Sequence, residues 1–219
     1  MKKKLLLLML GMFITTTVFS QTSGGQITRK KPKTTSNTQK VSKPKIVKPE
    51  AIDLGLPSGT LWADRNVEAT SPTAYGGLYR YGAPKTKMDG SNSEVSNLSI
   101  IIGTSNDVAM VNLGPDWRTP SREQAEELIS NCKITNEVVN GVKVKKFVGP
   151  NGNYILLPLA GTMYSYGRSQ AGDFGLYMLG NQFIDLHIDF DEVRLRESSP
   201  GRGWGLGVSV RAIYVNFVE

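Results

Sequence analysis

The chain has 219 residues, 39% of them hydrophobic, with a formal net charge of +7, one cysteine and one histidine. That length suits one domain with a sizeable core, and a lone cysteine excludes an internal disulfide. The basic balance belongs to the first fifty residues, which hold 11 of the 26 Lys and Arg and one of the 19 acids; residues 51–219 keep 15 bases against 18 acids, a mildly acidic net of −3, and no nucleic-acid partner is expected.

Taken in chain order, residues 1–20 read as a secretory signal peptide. Lys2, Lys3 and Lys4 precede an almost wholly apolar run over 5–19 and a small residue at the break, Ser20. The run falls short of the roughly 20 apolar residues of a membrane-spanning helix. After cleavage no transmembrane segment is expected, and a lipid anchor would need a cysteine at the cleavage site. The expected location is exported: periplasm, cell surface or extracellular. Residues 21–50 form a Lys/Pro/Thr-rich linker with few apolar residues, among them Val41, Ile46 and Val47. Such a segment buries too little to offset its chain entropy and is expected to be disordered. It reads either as a solvated spacer or as a tether that touches anionic envelope polymers.

Residues 51–219 form the domain. Alternation over 52–56, turn chemistry at Pro57-Ser58-Gly59 and an extended run over 60–63 predict an opening hairpin. Tyr75 to Gly82 is an aromatic, glycine-bounded extended segment, and 85–97 a polar surface loop. A short helix over 107–111 is expected, capped by Thr104 or Ser105. Trp117 then precedes the clearest signal in the chain. Ser121 is a helix N-cap with Gln124 completing a capping box, and Ala125, Leu128, Ile129 and Cys132 form one apolar stripe. Cys132 on that stripe reads as a small buried hydrophobe and not as a catalytic thiol. Asn140-Gly141 and Gly149-Pro150-Asn151-Gly152 mark turns, and Tyr154 to Pro158 reads as a buried central strand. Ile184, Leu186, Ile188 and Phe190 alternate with Asp185, His187, Asp189 and Asp191, a half-buried strand. With a turn at Asp191-Glu192, Asp189 would face Arg194 and His187 would face Arg196. Alternation over 208–213 predicts the last strand.

Three groups of residues carry candidate chemistry. Asp185, His187 and Asp189 share a strand face and could serve a metal or acid/base site, but a solvent-facing ladder paired with arginines is the expected reading, so no metal and no cofactor are expected. The glycines at 201, 203, 205 and 207 lack the lysine and helix of a phosphate loop. Tyr164, Tyr166, Arg168, Arg202 and Trp204 form the candidate ligand-binding set, an aromatic and basic surface on the loops 161–172 and 197–207 suited to sugars or peptides. The alternative is that Trp204 fills the core and the tyrosines flank it.

Asp53-Leu54-Gly55-Leu56-Pro57-Ser58-Gly59-Thr60-Leu61-Trp62-Ala63, Asn66-Val67, Ser71-Pro72, Trp117-Arg118-Thr119-Pro120-Ser121, Glu127-Leu128, Gly149-Pro150-Asn151-Gly152-Asn153, Leu157-Pro158-Leu159-Ala160-Gly161 and Ser209-Val210-Arg211 occur in that order. Together they resemble the Fibrobacter succinogenes major paralogous domain over nearly all of residues 51–219. The resemblance implies an α+β domain of short twisted antiparallel strands with one or two helices, similar to the C-type-lectin-like fold shared with formylglycine-generating enzymes. It carries no known activity. Those enzymes use a pair of cysteines, which one cysteine cannot supply. The chain departs from the family pattern at Tyr81-Gly82, at Tyr177-Met178-Leu179-Gly180 and over the glycine-rich run 201–207. The expected function is a non-enzymatic exported module of the bacterial cell envelope that recognises a surface glycan or a protein. The alternative is a structural or interaction protein of the envelope without a small-molecule site, and an enzyme ranks third.

Overall fold

The computed structural model describes residues 48–84, 98–164, 166–181, 184–197 and 206–215. The expected signal peptide, nearly all of the linker, the loop over 85–97, Arg202 and Trp204 lie outside these residues. The opening hairpin forms as its turn chemistry predicts: β1 (Ala51–Asp53) pairs antiparallel with β2 (Leu61–Ala63), and the Gly59 N–H closes the turn on the Leu56 carbonyl at 2.9 Å. The chain then passes through turns and bends over 64–74 before reaching Tyr79, whose single bridge is to Val208.

Helix α1 (Val108–Leu113) is capped by Asp107, where Thr104 or Ser105 was the expectation. Asp107 is fully buried and Oδ1 accepts from the backbone of Ala109, Met110 and Thr119 and from the Thr119 hydroxyl, while Oδ2 accepts from Gly103 N–H. One carboxylate thereby satisfies the helix start and the strand β3 (Trp117–Arg118) beside it, which a hydroxyl at 104 or 105 has too few acceptors to do. Trp117 is buried edge-on against Tyr214, ring centroids 5.1 Å apart. Helix α2 (Arg122–Asn131) has the predicted Ser121–Gln124 capping box, buries Ala125 and Leu128, and ends on Cys132. Among the described residues no helix is long and apolar enough to cross a membrane.

The remaining strands are short and antiparallel. β4 (Lys133–Val139) and β5 (Val142–Val148) meet at Asn140-Gly141, both with positive φ (52° and 79°), and β6 (Tyr154–Pro158) pairs with β5. β7 (Thr162–Tyr164) and β8 (Gly167–Ser169) form a small hairpin. β9 (Phe174–Met178), β10 (Ile184–Asp189) and β11 (Val193–Glu197) form a sheet with β10 in the middle. β12 (Ile213–Tyr214) lies between β2 and β3 in the sheet β1-β2-β12-β3. The architecture is α+β, as expected.

Two expectations about the core change. β6 is buried but stands at the edge of its three-stranded sheet, not at its centre. Side chains cover that edge: Arg211 donates to the Leu156 carbonyl at 2.6 Å and Tyr177 donates to the Pro158 carbonyl at 2.7 Å. Residues 208–213 are buried on both faces, Ser209 and Arg211 included, and only Ile213 of them lies in a strand. The segment threads between elements, with Ser209 N–H donating to Leu176 O, Met178 N–H to Ser209 O, Val67 N–H to Val210 O and Ala63 N–H to Ala212 O. A segment buried on both sides cannot place its polar residues toward solvent; the Arg211 guanidinium finds acceptors inside, while the buried Ser209 hydroxyl has no hydrogen-bond partner among the described residues. β9 plays the matching part. Tyr177 belongs to one apolar cluster with Trp62, Leu128, Phe147 and Leu157, while Leu176 and Met178 belong to a second with Val108, Trp117, Val210 and Ala212. The strand is a wall between two packed layers.

Candidate functional site

The β7–β8 hairpin stands on a base that only glycine permits. Gly161 has φ +66°, and a Cβ there would lie 2.1 Å from the Ser169 carbonyl. Reciprocal 2.8 Å bonds between Met163 and Gly207, and Gly161 N–H to Phe174 O at 2.7 Å, tie the hairpin to the body. At its tip the Tyr164 and Tyr166 rings stack in parallel, centroids 5.1 Å apart and planes 4° from coplanar. Tyr166 is 78% exposed. One ring backs the other, which leaves a flat aromatic surface projecting to solvent.

Arg168 goes elsewhere. Tyr164 pairs with Gly167 and Met163 with Arg168, so Arg168 and Tyr164 lie on opposite faces of the hairpin. The guanidinium donates to Ala160 O at 2.7 Å and Gly76 O at 3.0 Å and sits 5.3 Å from the Tyr75 ring centroid. Burial lowers its pKa. Of the candidate ligand residues the structure brings Tyr164 and Tyr166 together, turns Arg168 toward the loop at Tyr75–Gly76, and leaves Arg202 and Trp204 outside the described residues.

The β10–β11 hairpin holds the second candidate group. Its register differs from the expectation by two residues: His187 faces Arg194, Asp185 faces Arg196, and Ile188 faces Val193. The turn is longer than Asp191-Glu192 because Asp189 organises it. Asp189 Oδ1 accepts from the backbone N–H of Asp191 at 2.7 Å and of Glu192 at 2.8 Å, and Asp189 N–H donates to Glu192 O at 3.0 Å. A side-chain-capped loop of this kind replaces a two-residue turn. Asp185 and Arg196 form a cross-strand ion pair at 3.1 Å, where the expected register had set His187 opposite Arg196. His187 does not pair with an arginine. Its Nε2 meets Asp189 Oδ2 at 3.0 Å, and its mostly buried ring stacks on Phe174, centroids 5.7 Å apart. The hydrogen bond from His187, with those from the Glu192 and Asp191 N–H groups, pulls the Asp189 carboxyl down to about 2.

The loop also brings in Glu192, which sequence reading assigned to the turn. Donor atoms of His187, Asp189 and Glu192 all lie within 4.8 Å of one another. Arg194 Nε donates to Glu192 Oε1 at 2.5 Å. Behind them the buried Lys145 donates to the Phe190 carbonyl at 3.4 Å, and burial lowers its pKa against the pull of Asp189 and Asp191. The signal that would have found Glu192 is the spacing Asp189–Asp191–Glu192 itself, an aspartate followed by residues whose N–H groups it can cap. Asp189, held ionised far below neutral pH, is no general acid there; it can orient an imidazole or hold a cation.

No family model matches the chain, and neither the curated proteins nor the solved structures compared with it include a match.

Proposed function

We propose that the protein is an exported, non-enzymatic binding module of a bacterial cell envelope, with a C-type-lectin-like domain of the Fibrobacter succinogenes major paralogous type, that recognises a glycan through the tip of the β7–β8 hairpin. The observation that carries this reading is the stacked Tyr164–Tyr166 pair with Tyr166 78% exposed. A large aromatic ring projecting on a hairpin fixed at its base has a cost in solvation, and sugars offer the apolar C–H face that offsets it. Stacking of this kind adds contact area with little entropy to lose, because the partner ring already fixes the platform. The basic n-region, apolar run and linker support export.

One observation favours the second reading, an interaction protein of the envelope without a small-molecule site. Arg168, the nearest cation in the hairpin, spends its hydrogen bonds on Ala160 and Gly76 carbonyls. A flat aromatic tip then suits a protein surface as well as a sugar. A glycan-array screen of the full chain, with and without calcium, separates the two. The glycan reading expects a reproducible hit that weakens in Tyr166→Ala and in Trp204→Ala. A blank array from a folded chain, with an envelope protein captured by wild type and not by Tyr166→Ala, moves the function to the second reading.

A further inference from the structure

We propose that the closed end of the β10–β11 hairpin is a binding site for a divalent transition-metal ion of the zinc class, with His187, Asp189 and Glu192 as its protein ligands. Three donors converge there, two from the end of β10 and one from the turn that follows, all within 4.8 Å of one another. His187 Nε2 and Asp189 Oδ2 are 3.0 Å apart, near the ~3.3 Å edge of a tetrahedron built on bonds of about 2.0–2.1 Å. Both are held in place by contacts outside the site. The imidazole lies on the Phe174 ring, 13° from parallel, and its side chain is only 14% exposed. The other Asp189 oxygen is fixed by two backbone N–H groups, which aims Oδ2 at the imidazole. An ion therefore orders one further side chain, the exposed Glu192. A nitrogen donor with two carboxylates selects a zinc-class ion over calcium or magnesium, which prefer all-oxygen shells. A fourth position is left to water.

The surrounding charges set the terms. Asp189, Asp191 and Glu192 stand against Arg194, which pairs with Glu192, and Lys145, held on the Phe190 carbonyl. Two of these contacts compete directly with a metal: the His187–Asp189 hydrogen bond, which the ion replaces, and the Arg194–Glu192 pair, which it must open. Arg194 is thus a competitor whose removal frees a ligand.

The test is a zinc titration of the chelator-stripped full chain by calorimetry, with competition against a chromophoric chelator. The chain has one histidine and one cysteine, so the donors are easily separated. The proposal expects one ion per chain, unchanged in Cys132→Ser. Binding should weaken about 100-fold in His187→Gln and about tenfold in Glu192→Gln, and tighten severalfold in Arg194→Gln, where the competing cation is gone. Near-UV circular dichroism establishes that each variant is folded, and Glu192 and Arg194 are exposed enough for their variants to serve if His187→Gln fails to fold. No binding by wild type, binding undiminished in the folded ligand variants, or binding weakened in Arg194→Gln would each overturn it.

Discussion

Arg211 is the residue on which the packing of the two apolar layers turns. It is 1% exposed, and among the described residues it bonds to a side-chain amide and two backbone carbonyls and to no carboxylate. Its guanidinium donates to Asn66 Oδ1 at 2.9 Å, to Ala63 O at 3.0 Å and to Leu156 O at 2.6 Å. Burial pulls its pKa down to about 10, so it stays charged at neutral pH. A planar fork with five donors can serve three acceptors in three directions, and an ammonium cannot reproduce that geometry. Arg211→Ala strands three buried acceptors, two at 63–66 and one on β6, and leaves a void. The expected loss is about 3 kcal/mol, read as a fall in the urea midpoint, with Arg211→Lys recovering little of it. Cys132 makes the opposite point at the same scale. Burial, with the Glu127 carboxylate nearby, pushes its thiol up to about 11 from 9.0. The folded state thus favours the neutral thiol; its contribution is complete below about pH 9 and is lost as pH rises through about 11. Alkylation of the native chain should accelerate only toward pH 11, while the urea-unfolded chain reacts from about pH 9. The structure leaves Cys132 half-buried, not fully buried as expected; a native rate that saturates near pH 7 would mark an activated thiol and contradict this inert packing role.

At the scale of elements, legibility followed how local the determining contacts are. The α2 capping box and the Asn140-Gly141 turn are closed within three or four residues, and both form as their residues predict. α1 was placed correctly but its cap was not, because Asp107 answers to Thr119, twelve residues on, as well as to its own helix. Asp107→Ala should therefore cost more than an ordinary cap. The usual loss is about 1 kcal/mol; leaving the Thr119 and Gly103 N–H groups unpaired in a buried site raises it to about 3 kcal/mol, measurable by chemical denaturation. Asp107→Asn, which keeps one acceptor oxygen, should recover part of the loss. The register of β10 and β11 was missed for a related reason. Strand alternation is unchanged by a shift of two residues, so hydrophobic pattern could not decide between a two-residue turn and the Asp189-capped loop. The hydrogen bonds of one aspartate decide it, and they assemble the His187–Asp189–Glu192 group as a by-product.

At the scale of the whole molecule, the segment 206–215 joins elements far apart in sequence. Val208, Val210 and Ala212 enter one apolar layer and Ile213 the other, while the backbone bonds Tyr79, Val67, Ala63 and β9. Its alternation predicted a strand, and sequence pattern cannot see that Ser209 and Arg211 are both buried, with Arg211 finding its partners inside. With one segment shared by both layers, the layers cannot unfold separately. Far-UV and near-UV circular dichroism should follow one coincident urea transition, and two separated transitions would show that the layers are independent. The ligand set was legible only in part. Tyr164 and Tyr166 meet because the hairpin returns within two residues. Arg168 parts from them through strand parity, which depends on a pairing register that composition does not reveal.

The exposed ring of Tyr166 is the proposed recognition surface, and the direct measurement is a glycan titration, by calorimetry, of the full chain against Tyr166→Phe and Tyr166→Ala. Binding should be saturable; Tyr166→Phe should keep it within about threefold, since the ring face does the binding, and Tyr166→Ala should weaken it about tenfold or more, in line with about 1.5 kcal/mol for one stacked ring. Equal affinity in all three folded proteins would contradict it, because the tyrosine platform would then have no part in recognition.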